Sequence, residues 1–143
     1  MVTPDPLTWF TDGSKTINAV GCGIYCEQTQ KKGCERLSDH ASIMQAETTA
    51  VKICAEEMIN SNVSGRNIFI FSDSQATIKA ISKSTISTTT VKECIDRLNL
   101  LGKTNTLTIS LVPGHSGVPG NEIADELANE GTELEEMVPD AFL

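Results

Sequence analysis

A chain of 143 residues, 39% hydrophobic, fits one domain and is long enough to bury a core of its own. No run approaches the roughly 18 apolar residues of a membrane span. Met1-Val2-Thr3-Pro4-Asp5 also lacks the basic start and apolar segment of a secretory signal, so an intracellular protein (cytoplasm or nucleus), with no membrane partner, is expected. The formal net charge of −8 argues at first sight against a nucleic-acid partner, although two bound divalent cations would halve it. Five cysteines are an odd number without paired spacing, and His40 is the one histidine near any of them. That favours reduced, packed thiols over a zinc site.

Leu7–Thr11 is rich in strand formers and runs into Asp12-Gly13, a turn signal that places Asp12 at the strand's end. Ala19–Cys26 reads as a second strand whose two glycines weaken it or let another element approach closely. Gly33–Leu37 reads as a third, paired in a meander. Ser42 then opens a helix in which Ala46, Thr49, Ala50, Ile53, Cys54 and Met58 recur at three- and four-residue spacing. Asn67–Ser72 is a short apolar run expected in a central strand covered on both faces. Asp73 falls at its C-terminal end, and either Ser74 or Asp73 can cap a helix over Gln75–Ser82. Residues 84–90 look like a Ser/Thr-rich linker. A helix over Val91–Leu101 follows, then a strand over Thr106–Val112, the loop Pro113–Gly120, and a helix over Asn121–Asn129 stopped by Gly131. The expected organisation is a catalytic domain over residues 1–131 and an acidic tail or linker over 132–143. Strands and helices in this order make a mixed sheet with helices on its faces, where sites form beyond the carboxyl ends of strands.

Asp12, Glu47, Asp73 and Asp125 come from four separate elements. Each alone is explained by a turn, a cap or a solvated helix face. Glu47 and Asp125, however, lie beside the apolar stripes of their helices rather than opposite them. Three or four carboxylates around one small volume suit hard divalent cations, which two-metal phosphodiester hydrolysis uses. His115, among glycines and a proline just before the last helix, suits a group that moves to shuttle a proton, or is a loop residue without a role.

Thr11-Asp12-Gly13-Ser14, Ala46-Glu47, Ser72-Asp73-Ser74-Gln75 and Gly114-His115-Ser116-Gly117 with Asn121-Glu122-Ile123-Ala124-Asp125 resemble the ribonuclease H family. The wording is most similar to domains carried beside a reverse transcriptase in retrotransposon polyproteins, and the resemblance covers about residues 7–131. It implies a ribonuclease H-like fold with a mixed five-stranded sheet flanked by helices. It implies hydrolysis of the RNA strand of RNA–DNA hybrids with two Mg2+ ions, which Mn2+ can replace. The implied metal ligands are Asp12, Glu47, Asp73 and Asp125, with His115 as the loop histidine. The implied minor-groove contacts are Gly13, Ser14, Gln45, Gln75 and Asn121. Such contacts suit a groove that displays 2′-hydroxyls. Asn121 and Gln75 also read simply as a helix cap and a solvated first-turn residue. Unlike relatives with a basic, Trp-containing insertion, this chain has only Lys79, Lys83 and Lys92 around a Ser/Thr-rich stretch. Two further readings compete: a non-catalytic module beside a polymerase, and another nuclease or transposase on the same fold.

Overall fold

Alternating strand formers at the start of the chain form a nine-residue strand, β1 (Leu7–Lys15), at the centre of a five-stranded sheet ordered β3-β2-β1-β4-β5. β2 (Val20–Cys26) and β3 (Lys32–Leu37) extend it as an antiparallel meander. After α1 (Ile43–Asn60), the chain crosses over to β4 (Asn67–Ser72), parallel to β1. Two helices, α2 (Gln75–Ser82) and α3 (Thr89–Gly102), lead to β5 (Thr106–Leu111), parallel to β4. The last element is α4 (Pro119–Glu133). The computed structural model describes residues 4–83, 88–112 and 117–135. Among these, no helix is long and apolar enough to cross a membrane.

The two faces of the sheet are covered differently. On one, α1 and α3 bury Leu7, Trp9, Cys22, Cys26, Ile68 and Ile70 against Cys54, Met58, Cys94 and Leu98. Four of the five cysteines are buried and all five are free, as packed thiols should be. Among the described residues, the other face carries α4 alone, over β1, β2 and β3. Gly21 and Gly23 make that docking possible. A Cβ on Gly21 would lie 2.5 Å from the backbone nitrogen of Thr132, and one on Gly23 2.5 Å from that of Ala128. The strand glycines therefore let the helix backbone rest on the sheet. Beyond α4's reach, β4 has one well-covered side: Ile68, Ile70 and Ser72 are buried, while Phe69 and Phe71 are only partly so. The expectation of a β4 covered on both faces holds for half of its side chains.

Several boundaries differ from the sequence expectation: α3 begins at Thr89, inside the stretch expected as linker, because Thr88 Oγ1 caps it by accepting from Val91 N at 3.2 Å, and three others differ for packing reasons. β1 does not turn at Asp12-Gly13 but continues to Lys15, because residues 12–15 pair with Val20–Gly23 of β2. α4 begins at Pro119, with Val118 rather than Asn121 at the N-cap; proline at the first helical position needs no N–H partner. Gly131 does not stop α4. It lies inside the helix, where a Cβ would fall 2.5 Å from the carbonyl oxygen of Glu35. At the sheet edges, β3 carries Lys32, Glu35 and Arg36, whereas β5 reads Thr-Leu-Thr-Ile-Ser-Leu without a charge. His115, residues 84–87 of the expected linker and residues 136–143 of the tail lie outside the described residues.

Candidate active site

Parallel pairing places Thr11 of β1 opposite Ser72 of β4, so the next residues, Asp12 and Asp73, lie side by side where β4 ends and β1 runs on. Thr11, fully buried, donates its hydroxyl to the Phe71 carbonyl at 3.1 Å and ties the two strands at that point. Asp73 sits in the turn between β4 and α2. Ser72 Oγ accepts from Ser74 N at 3.1 Å there, and Ser74 Oγ caps α2 by accepting from Thr77 N at 3.2 Å.

α1 brings the third carboxylate. Its N-terminus is a reciprocal capping box: Ser42 Oγ accepts from Gln45 N at 3.0 Å, and Gln45 Oε1 accepts from Ser42 N at 2.7 Å. The helix then passes against Gly13. A Cβ there would meet the Glu47 nitrogen at 2.7 Å and the Ala46 Cβ at 2.9 Å. Glycine at position 13 thus sets the gap between strand and helix, and Glu47 crosses it to Asp12. The ligand-capable oxygens of Asp12, Glu47 and Asp73 all lie within 4.8 Å of one another. Asp12 and Glu47 are buried and Asp73 is exposed.

Asp125 approaches from α4 and adds the smallest contribution to raising the Asp12 carboxyl. It stands outside the tight set of three and is exposed, unlike Glu47, although both neighbour the apolar stripes of their helices. Burial, followed by the charges of Glu47 and Asp73, pushes the Asp12 carboxyl well above the usual carboxylate range. Burial also raises Glu47, opposed by its hydrogen bond with Asp12 and reinforced by the charge of Asp73. Among the described residues, Glu47 Oε2 is buried without a hydrogen-bond partner, as is Asn121 Oδ1 one helical turn before Asp125. A crowded, all-oxygen donor set with an unpartnered buried oxygen fits a hard divalent cation, which would neutralise the repulsion.

The remaining candidates are dispersed around this core. Gly13 N–H donates to Asp12 Oδ1 at 2.8 Å, so Gly13 serves the site's own architecture. Ser14 donates to Asn129 Oδ1 of α4 at 2.6 Å, while Gln75 is exposed at the first position of α2. Gln45 keeps its amide nitrogen after capping α1 with its oxygen. The sequence reading missed Asn129 and the buried contact of Gly120 with the Phe10 ring, which seats α4 beside the site. A glycine directly after the first-turn proline was the available signal for the second; nothing local marks the first.

The RNase H family model matches residues 4–133. The fold is similar to RNase H1 from the halophilic archaeon Halobacterium salinarum, at 20% identity and a TM-score of 0.67, covering 90% of this chain and 98% of that one. It is similar to the same degree to a foamy viral protease-reverse transcriptase solved in complex with dsDNA. There the identity is 22% and the TM-score 0.68, over 88% of this chain and 93% of that one. The chain belongs to the RNase H family and is, by that membership, a ribonuclease H.

Proposed function

We propose that this chain is a metal-dependent endonuclease that hydrolyses the RNA strand of RNA–DNA hybrids, as a domain of a retrotransposon polyprotein tethered to a reverse transcriptase. The observation that carries the reading is the convergence of Asp12, Glu47 and Asp73 oxygens within 4.8 Å where β4 ends beside the middle of its parallel neighbour β1. Asp12, Glu47, Asp73 and Asp125 would hold two Mg2+ ions, with Mn2+ as an alternative. When bound, such ions make water nucleophilic at neutral pH and stabilise charge on a phosphodiester.

The chain's own residues do the rest. Asp12 and Glu47, fixed by burial and by Gly13, hold their carboxylates in place before any substrate arrives. Asp73, exposed at the mouth of the cluster, faces the incoming backbone. Gly13, Ser14, Gln45, Gln75 and Asn121, contributed by β1, α1, α2 and α4, would supply polar contacts to the 2′-hydroxyl-bearing groove. His115 precedes the Asp125 helix and moves a proton to the departing product. The catalytic domain spans residues 1–131, followed by an acidic linker.

The test is cleavage of a hybrid labelled on its RNA strand by the parent protein and Asp73→Asn, with Mg2+, Mn2+ or chelator, and with duplex DNA and duplex RNA alongside. Metal-dependent loss of the hybrid's RNA strand in the parent alone is the expected result. Retained cleavage by Asp73→Asn would sink the metal-site assignment, and cleavage of duplex DNA instead would move the chain to another nuclease class.

A further inference from the structure

Large apolar side chains that stand in solvent are few among the described residues, and three of the five gather at the acid-cluster end of the sheet: Ile17, Ile43 and Leu111. Ile17 is 97% exposed at the tip of the β1–β2 hairpin, which continues roughly 10 Å past Asp12 before it turns. The tip is built to hold its shape. Thr16 N donates to the Ala19 carbonyl at 2.8 Å, and Thr16 Oγ1 accepts from Ala19 N at 3.0 Å. Ile43, 46% exposed, is the first residue of α1 and sits one turn ahead of Glu47 on the same helix face, so it overhangs the acid that meets Asp12. Lys15 Nζ donates to the Ala41 carbonyl at 3.1 Å and joins the hairpin to the segment that leads into α1. Val20, Ala41 and Ala46 form a small buried cluster beneath the same corner. On the other side of the site, Leu111 ends β5 in register with Ser72, next to Asp73.

We infer that Ile17 and Ile43, with Leu111 across the site, form an apolar rim that grips the minor groove of an RNA–DNA duplex beside the acid cluster. The inference rests on the hybrid-nuclease reading. The rim continues directly into the cluster, so whatever the acids act on passes over it. An acidic chain also needs such a device. With 11 Lys and Arg against 19 Asp and Glu, and Lys15 committed to Ala41, counterion release has little to work with here. The minor groove of an A-like duplex is wide and shallow and lined by ribose, which offers apolar C–H surface to rigid side chains. Isoleucine adds contact there without demanding a sequence. Binding of this kind is weak in its dependence on salt, in contrast to grip by a basic patch.

The experiment measures binding of a fluorescent RNA–DNA hybrid in Mg2+ by Ile17→Ser, Ile43→Ser and the double variant, each in an Asp73→Asn background that spares the substrate. Leu100→Ser, an exposed leucine near the far end of α3, serves as the control. Each single change should weaken binding about fivefold and the pair about twentyfold, with Leu100→Ser unchanged and Ile17→Val retaining most of the affinity. The slope of log K on log salt should be no steeper than about −3. In the cleaving background the loss should appear in KM rather than kcat. Variants that bind like the parent, or a salt slope typical of a basic binder, would overturn the rim. So would sedimentation as a dimer that the serine changes dissolve, which would make a second copy the occupant. A parent protein that neither binds nor cleaves the hybrid would instead remove the hybrid reading on which the inference stands.

Discussion

The two halves of the sheet are built to different tolerances. β1, β2 and β3 lie between α1 and α4, with glycines where helix backbone meets strand, and the first of these strands presents Asp12. β4 and β5 are packed by α2 and α3 on one face and leave Phe69 and Phe71 partly open on the other. The acid cluster straddles the seam. Its buried pair, Asp12 and Glu47, belongs to the tight half, and its exposed member, Asp73, to the loose one. Rigid carboxylates on one side and an accessible one on the other suit a site that must keep ligand geometry yet admit a bulky polymer.

The largest expected effect comes from removing an acid at the seam. Asp73→Asn should lower hybrid cleavage by about a thousandfold or more, which is about 4 kcal/mol of barrier, while circular dichroism and melting stay close to the parent's. Next comes the tight half. Gly23→Ala should cost about 2–3 kcal/mol of stability as its methyl meets α4 backbone, whereas Thr108→Ala in β5 should stay within about 0.5 kcal/mol. Equal costs in denaturant titrations would erase the contrast between halves.

The pH dependence of stability sharpens the same contrast from the electrostatic side. Asp12 at about 9 and Glu47 at about 7 lie above their ordinary values of 3.8 and 4.5. A raised folded-state value means the stability contributed by the protonated carboxyls is present below about pH 4 and lost as pH climbs toward 9. Melting temperature in chelator should therefore fall across that window, and Mg2+ should flatten the fall. Asp12→Asn should melt higher than the parent in chelator and gain nothing from Mg2+. The smallest effect is reserved for the loop: His115→Ala should slow turnover by about tenfold to a hundredfold with metal affinity unchanged by calorimetry, and an unchanged rate would leave His115 without a part in the reaction.

Much of this was legible in the sequence because periodicity and caps are local. Asn67–Ser72 and Gln75–Ser82 have the boundaries their residues suggest, and Ser42 caps α1. Where the reading failed, a neighbour distant in sequence overrode a local preference. Asp12-Gly13 has turn chemistry, yet β2 pairs with it; Gly131 has stop chemistry, yet α4 uses it to lie on β2 and β3. The four acids could be singled out by their neighbours. That Asp125 stands exposed, at one remove from the other three, depends on where α4 docks, which no local pattern reports.

Gly13 carries a consequence for how such a chain can vary. One missing methyl group sets both the seating of α1 on the sheet and the reach of Glu47 to Asp12. Substitutions at Asp12 separate survival of the fold from survival of function, since asparagine there relieves repulsion and forfeits only chemistry. At position 13 the two are inseparable. A library selected for abundance alone would already be purged there, and would drift freely at the carboxylates.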